Sequence, residues 1–302
     1  MWFKNLSVFR LTEAFTLAPE ELEQKLEPLS FRSCGLHEEF TFGWTPPLGK
    51  TAQQLVHNAN GFMMLCVKKE ERVLPSAVVN ELVQEKILEQ EELQSRKLSK
   101  KERTEIKDEL IFDLLPKAFT FSRKIYAYID PKGGWLIVDA ASAKSAEDLL
   151  SLLRKSLSSL PAMPLNTIEK PSTTMTQWLL NNEAPDDITI EDECELRSPE
   201  EAGGIIRCKR HDLSLPEIKT HLDTGKVVIK LAVSWADRLS FIIDENLSVK
   251  RLRFLELIQD QVADIETEDE AAQFDVDFSI MSAELANFLP RLIELFGGEN
   301  KA

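Results

Sequence analysis

The residues best suited to bind a charged ligand are the lysines and arginines between Ile205 and Phe254. This segment contains ten Lys and Arg against six Asp and Glu, whereas the whole chain of 302 residues has a formal net charge of −15. The basic residues are Arg207, Lys209, Arg210, Lys219, Lys226, Lys230, Arg238, Lys250, Arg251 and Arg253. The flanking segments 183–201 and 256–277 contain nine Asp and Glu each. The basic segment can bind an anion, or it can form internal ion pairs with its acidic neighbours.

This segment has the alternation of residue types that is typical of β-strands. At 226–235, alternation predicts one apolar face and one face that carries lysines. The apolar set is Val227, Ile229, Leu231 and Val233, and the opposite set is Lys226, Val228, Lys230 and Ala232. At 249–254, alternation separates Val249, Arg251 and Arg253 from Lys250, Leu252 and Phe254. A sheet face lined by cations could bind a polyanion backbone without reading its sequence.

A second group of cations lies at the tip of a predicted helical hairpin. The first helical pattern starts at Ser76 and fades near Ser95, and a capping box of Ser99 and Glu102 opens a second helix that ends before Pro116. The tip carries Arg96, Lys97, Lys100, Lys101, Arg103 and Lys107. Such a run is either a solvated helix surface or a basic finger that contacts phosphates.

Aromatic and basic residues alternate directly after the hairpin. Lys117, Phe119, Phe121 and Arg123 follow one another at strand spacing. Exposed aromatics among cations could stack on bases or contact a partner protein, whereas buried ones pack in the core. From the residues alone, core packing is the commoner outcome.

The remaining patterns predict an α+β fold with antiparallel sheets. We predict an N-terminal α+β region of residues 1–75 and 116–161, with the hairpin of residues 76–115 inserted in it. A C-terminal α+β region of residues 162–302 contains the basic strands, and the proline-rich segment 161–171 is the best candidate linker. Near the C-terminus, residues 274–281 alternate as a strand would and precede a helix that Pro290 should kink or divide.

No sequence motif for catalysis or cofactor binding is present. The chain lacks phosphate-binding and dinucleotide-binding glycine loops, the zinc-protease motif and the nucleophile elbow. Two C-x-x-H pairs, Cys34 with His37 and Cys208 with His211, are not followed by a second ligand pair, so we expect no metal, no cofactor and no enzymatic activity.

A metal-dependent nuclease that uses acids such as Asp264, Glu266 and Asp275 stays open as an alternative. The absence of a long apolar run and of a signal-peptide pattern predicts a cytoplasmic protein without membrane association. The four scattered cysteines fit that compartment, because they do not form a disulfide framework.

Several long motifs resemble the RdgC family of bacterial recombination-associated proteins. They are MWFKNLSVFRL at the start, GWTPPLG at 43–49, NGFMMLCVKKEERVLPSAVV at 60–79, LLPKAFTFS at 114–122, DAASAKSAEDLLSLLRKSLSSLP at 139–161, GGIIRCKRHDL at 203–213 and the block 225–254. The resemblance runs from Met1 to Gly298, and its motifs are unrelated to any common fold signature.

The resemblance implies a horseshoe-shaped α+β subunit with a helical finger, two copies of which close head-to-head into a ring-shaped homodimer. It also implies nucleoid-associated binding of DNA, double-stranded by preference and without sequence specificity. Members limit the access of the RecA recombinase to DNA and act in recombination and replication. The alternative is an interaction module that acts directly on recombination or replication proteins and contacts DNA incidentally.

The resemblance also implies roles for particular residues. Lys209, Arg210 and Lys226 would face DNA, and Phe119 would lie near the interface that closes the ring; His211 stands where members often have an amide. Together with the charge patterns, this gives as candidate DNA-binding residues Lys209, Arg210, His211, Lys226, Arg207, Lys230, Arg251, Arg253, Lys97, Lys100, Lys101, Lys117 and Arg123. The candidate dimer-interface residues are Phe119 and Phe121.

Overall fold

Antiparallel strand pairing organises the chain. The computed structural model describes residues 1–49, 52–200, 203–263, 265, 267 and 269–300. The strands among them are β1 Asn5–Leu11, β2 Phe40–Trp44, β3 Val56–Ala59, β4 Phe62–Val73, β5 Phe119–Asp130, β6 Trp135–Val138, β7 Ala162–Pro164, β8 Ile188–Arg197, β9 Ile205–Lys209, β10 Val227–Trp235, β11 Leu239–Asp244 and β12 Val249–Phe254. The α-helices are α1 Pro19–Leu26, α2 Ser76–Gln94, α3 Lys100–Leu114, α4 Ala143–Leu157, α5 Pro171–Asn181, α6 Pro216–Asp223, α7 Glu256–Ala263 and α8 Glu270–Glu294. The α+β class with antiparallel pairing is therefore confirmed.

The strands form one sheet with β1 at its centre. The order is β2-β4-β5-β6-β1-β12-β11-β10-β8-β9, while β3 pairs with β4 and β7 pairs with β1. Asn5 of β1 lies opposite Lys250 of β12, and Ser7 lies opposite Val138 of β6. Strand β1 thus joins an N-terminal half of the sheet, β1 to β6, to a C-terminal half, β8 to β12. The segment proposed as a linker contains β7, so backbone pairing fixes part of it to the sheet.

Helices cover the two halves of the sheet differently. Leucines of α1 and α4, such as Leu22 and Leu149, pack against the N-terminal half. In the C-terminal half, Trp178 of α5 and Phe288 of α8 pack with Leu231 of β10 in a second core. An antiparallel sheet can leave its other face in solvent. The opposite face of the C-terminal half is open in this way, and charged side chains line it.

The helical hairpin forms as the sequence predicts. The Ser99 hydroxyl accepts a hydrogen bond from the Glu102 amide at 3.4 Å, and the Glu102 carboxylate accepts one from the Ser99 amide at 2.8 Å. This is the capping box that opens α3. Val83, Ile87 and Leu98 belong to a small apolar core that holds α2 and α3 together.

The C-terminal strand prediction is wrong, because residues 274–281 belong to the single helix α8. Phe278, Met281, Leu285 and Phe288 are all buried, and their spacing of three and four residues places them on one face of a helix. The helix continues through Pro290 and is not divided. Even so, no helix in the part of the chain that is described is long and apolar enough to cross a bilayer.

Candidate nucleic-acid interface

The open face of the C-terminal half gathers cations from β9, β10 and β12. They surround a pocket of about 180 Å³ that also contains the carboxylates of Glu193 and Glu195. The cations are Arg207, Lys209, Lys230, Lys250 and Arg251. We call this surface the basic face. It brings together four of the predicted site residues, and Lys250 joins them.

A β-bulge in β10 changes which of its side chains share a face of the sheet. The register of β10 against β8 shifts between Val228 and Lys230. Val228 is therefore fully buried with Leu231 and Val233 in the core, and its predicted place beside Lys230 is wrong. A bulge adds a residue to one strand and reverses the alternation beyond it. Strict alternation could not reveal this shift.

A second bulge, in β12, changes the direction in which its basic side chains point. Between β11 and β12 the register is irregular, and Arg251 has a left-handed backbone with φ of 52°. Val249 is consequently buried with Leu252 and Phe254, so its predicted grouping with Arg251 is wrong. A non-glycine residue in this conformation is held there by its surroundings, often at sites with a function.

Two glutamates of β8 each bind two cations of the basic face. The Glu195 carboxylate accepts hydrogen bonds from Lys230 at 3.0 Å and Arg207 at 3.2 Å. Glu193 accepts a 2.7 Å bond from Arg251, and its other oxygen lies 3.7 Å from the ammonium of Lys209. Internal neutralisation, which the sequence left open, is therefore part of the arrangement.

The electrostatics of Glu195 follow from these contacts. Burial alone would raise the pKa of its carboxyl, but hydrogen bonds from Lys230 and Arg207 outweigh burial and hold the pKa below its usual value. Glu195 is thus ionised at neutral pH. Neither glutamate was predicted from the sequence as a functional candidate, although their two-residue spacing and the basic strands nearby could have indicated them.

Two further basic residues of β12 differ in their pairing. Arg253 lies opposite Ser240 and shares its sheet face, and it is exposed without an ion-pair partner among the described residues. Lys250 lies opposite Ile242, and its ammonium is 2.9 Å from the buried carboxylate of Asp244. Each glutamate offers one negative charge to two cations, so the basic face keeps a positive excess.

The predicted residues of the neighbouring loops lie beside the basic face. Arg210 follows β9, is exposed and has a left-handed backbone with φ of 52°. The His211 ring lies 2.5 Å from the carboxylate of Glu217. Lys226 precedes β10, where its ammonium donates a 3.5 Å hydrogen bond to Thr224. Strand register places Lys226 and Arg210 at opposite ends of β9, so they are not neighbours.

The cations of the hairpin tip are exposed but partly paired. Lys97 and Lys100 have no ion-pair partner within the described part of the chain, and Lys101 lies 3.8 Å from Glu105. The two arginines of the tip form internal ion pairs, Arg96 with Glu102 and Arg103 with Glu91. Lys97 and Lys100 thus remain available for an external anion.

The residues after the hairpin form an exposed aromatic surface. Phe119 is 87% exposed and Phe121 is 55% exposed, which overturns the core packing favoured from sequence. Residue 119 pairs with Val73 and residue 121 with Glu71, and strand alternation places both phenylalanines on one face of β4 and β5. Lys117 and Arg123 are exposed beside them.

The described residues contain no group of three or more His, Cys, Asp or Glu that could hold a metal ion. Cys34 contacts Glu70, whereas Cys208 lies opposite Cys194, so the two C-x-x-H pairs occupy different halves of the sheet. Of the acids considered for a nuclease, Asp275 lies 3.1 Å from His57. Asp264 and Glu266 lie outside the described residues.

Fold and site together define an α+β protein with a cation-lined, open antiparallel sheet face. Residues 1–299 match the family model described as "Putative exonuclease, RdgC". The chain belongs to the RdgC family.

Three relatives named "Recombination-associated protein RdgC" illustrate the similarity. The protein of Tolumonas auensis is 49% identical over 299 residues, which cover 99% of each chain. That of Aeromonas hydrophila is 46% identical over 302 residues and all of both chains. That of Pseudomonas aeruginosa is 46% identical over 300 residues, 99% of this chain and 98% of the relative.

Proposed function

We propose that the chain acts in recombination as a DNA-binding protein that holds duplex DNA without sequence specificity and limits the access of the RecA recombinase to it. The observation that carries this proposal is the convergence of five cations on one open sheet face. The names of the relatives, which describe them as recombination-associated, support the cellular role.

The charge distribution gives a physical reason for such binding. A chain with a net charge of −15 is repelled by DNA at most of its surface. Cations that contact phosphates release the counterions condensed on DNA, so affinity falls steeply as salt rises. Phosphate contacts position a protein on the duplex without reading bases. We therefore expect binding through the basic face, strong salt dependence and little sequence preference.

We further propose that two horseshoe-shaped subunits form a ring-shaped homodimer around the duplex, with Phe119 and Phe121 at an interface. The exposed aromatic surface supports this, because large apolar patches on soluble proteins often mark protein contacts. In such a ring, the lysines of the hairpin tip could extend the basic face. Association with the nucleoid and a role at replication sites would follow from this mode of binding.

The test is charge reversal. The variant Lys209→Glu with Arg210→Glu should bind labelled duplex DNA more weakly, with a salt slope reduced by about 0.9 for each lost phosphate contact. Lys144→Glu with Lys155→Glu changes the net charge equally on the exposed side of α4 and is the matched control. If both double variants bind alike, the basic face is not the DNA site. Strand exchange by RecA, with and without the prebound protein, tests the cellular role.

We propose that the protein is not an enzyme, and the proposal is supported by the ion pairs that account for the charged side chains at the centre of the basic face. The description of the family model as an exonuclease favours the alternative. Incubation of end-labelled DNA with Mg²⁺ or Mn²⁺ decides between them, since release of nucleotides would overturn the non-enzymatic proposal. A direct protein-interaction role remains the second candidate. It would gain support if RecA is captured after nuclease treatment and by the charge-reversed variant.

A further inference from the structure

Glu193 and Glu195 occupy the centre of the surface proposed to bind DNA. Their side chains are 25% and 13% exposed, and each carboxylate contacts two cations that come from different strands. Acidic residues in a DNA-binding surface reduce its attraction for phosphate. Their presence there therefore needs a physical explanation.

The strand register builds these contacts into the fold. Glu195 lies directly opposite Arg207 on β9 and Lys230 on β10, and Glu193 lies opposite Lys209. Cross-strand pairs of opposite charge stabilise a sheet modestly. The pairs thus form wherever β8, β9 and β10 assemble, and they are not chance contacts of long side chains.

The fourth contact depends on the bulge in β12. Strands β10 and β11 lie between β8 and β12, so Arg251 reaches across both of them to donate its 2.7 Å hydrogen bond to Glu193. The left-handed backbone of Arg251 occurs at the bulge, a feature that re-aims side chains in sheets. The Glu193–Arg251 pair consequently lies over the centre of the basic face.

We infer that Glu193 and Glu195 are internal competitors of DNA phosphate: they hold Arg207, Lys209, Lys230 and Arg251 in the free protein and give them up when the duplex binds. This inference rests on the proposed function. Phosphate accepts the same charge-assisted hydrogen bonds as carboxylate, so each cation can exchange one partner for the other. The exchange costs part of the binding energy, because it leaves two carboxylates near the phosphates. The two glutamates therefore set the affinity of the face below what its cations alone would give.

Replacing each glutamate by glutamine tests the inference, because glutamine keeps the shape and removes the charge. For partly exposed ion pairs we expect each single variant to bind duplex DNA roughly 3- to 10-fold more tightly, with a steeper salt slope. Glu191→Gln is the matched control. It makes the same charge change on the same strand at an exposed residue that has no ion pair with these cations among the described residues.

The experiment measures fluorescence anisotropy of a labelled duplex across a potassium chloride series, using the full chain. Thermal unfolding of every variant checks that it is folded. If Glu193→Gln and Glu195→Gln gain no more affinity than Glu191→Gln, the inference is overturned while the proposed function stands. If the wild type itself does not bind duplex DNA, the proposed function fails and the inference fails with it.

Discussion

Replacing Phe119 by alanine should weaken the proposed dimer without destabilising the folded subunit. The side chain is 87% exposed in the single chain, so its removal costs the subunit almost no buried apolar area. Full burial of a phenylalanine stabilises by about 1.5–3 kcal/mol. A two-fold symmetric interface contains the residue twice, which gives about 3–6 kcal/mol per dimer. The dimer dissociation constant should therefore rise by roughly two to four orders of magnitude.

Sedimentation velocity over a dilution series measures this dissociation constant, and chemical denaturation measures the stability of the subunit. Leu93→Ala is the matched control, because Leu93 is 79% exposed at the end of α2 and lies in no proposed interface. The reasoning is refuted if Phe119→Ala dissociates no more readily than Leu93→Ala. It also fails if Phe119→Ala lowers the denaturation midpoint at a concentration where both proteins are monomeric, since the side chain would then be packed within the subunit.

Two further predictions concern stability. Arg238 forms a bidentate ion pair with Glu284, whose side chain is only 4% exposed. Arg238→Met should leave the Glu284 carboxylate buried without its partner and lower the free energy of unfolding by about 3 kcal/mol, as measured by urea denaturation. Arg197→Met breaks a bidentate pair with a carboxylate that is 29% exposed, so it should cost at most about 1 kcal/mol; equal costs would contradict the role of burial. The second concerns pH: a hydrogen bond from Arg96 is the main reason that the pKa of Glu102 falls from 4.5 to about 2. A depressed carboxyl pKa stabilises the hairpin tip above pH 4.5, and that contribution is lost as the pH falls to about 2. NMR titration should show the Glu102 midpoint rising towards 4.5 in Arg96→Gln, and an unchanged midpoint would refute this cause.

Local sequence signals predicted the helical hairpin and two of the strands that carry the basic residues. The capping box at Ser99 and the alternation at 226–235 and 249–254 act within a few residues of the chain, so they are readable from sequence. The segment 274–281 was misread because its apolar residues fit both a period of 2 and a period of 3.6. Packing of α8 against the sheet decides between the two periods, and that contact is not local.

The site was predictable in composition but not in geometry. The cations of the basic face were readable as a local charge excess, and the resemblance to the family indicated an anion for them. The bulges at Val228 and Arg251 could not be predicted, because each depends on the register of a neighbouring strand. The residues alone favoured a buried Phe119, but whether a strand residue is covered depends on which distant elements pack over the sheet.

The glutamates of β8 show that the charge of the basic face cannot be read from the net charge of one sequence segment. In the sequence, Glu193 and Glu195 belong to an acidic segment that appears separate from the basic one. In the fold, strand pairing places them between Lys209, Arg207 and Lys230, so the acidic and basic segments form one surface. If the surface binds DNA as proposed, its attraction depends on how readily these pairs open, and the net charge of a segment does not report that property. In the proposed complex, exposed Arg253 would break no ion pair with the described residues on binding, whereas the paired cations would have to exchange their partners.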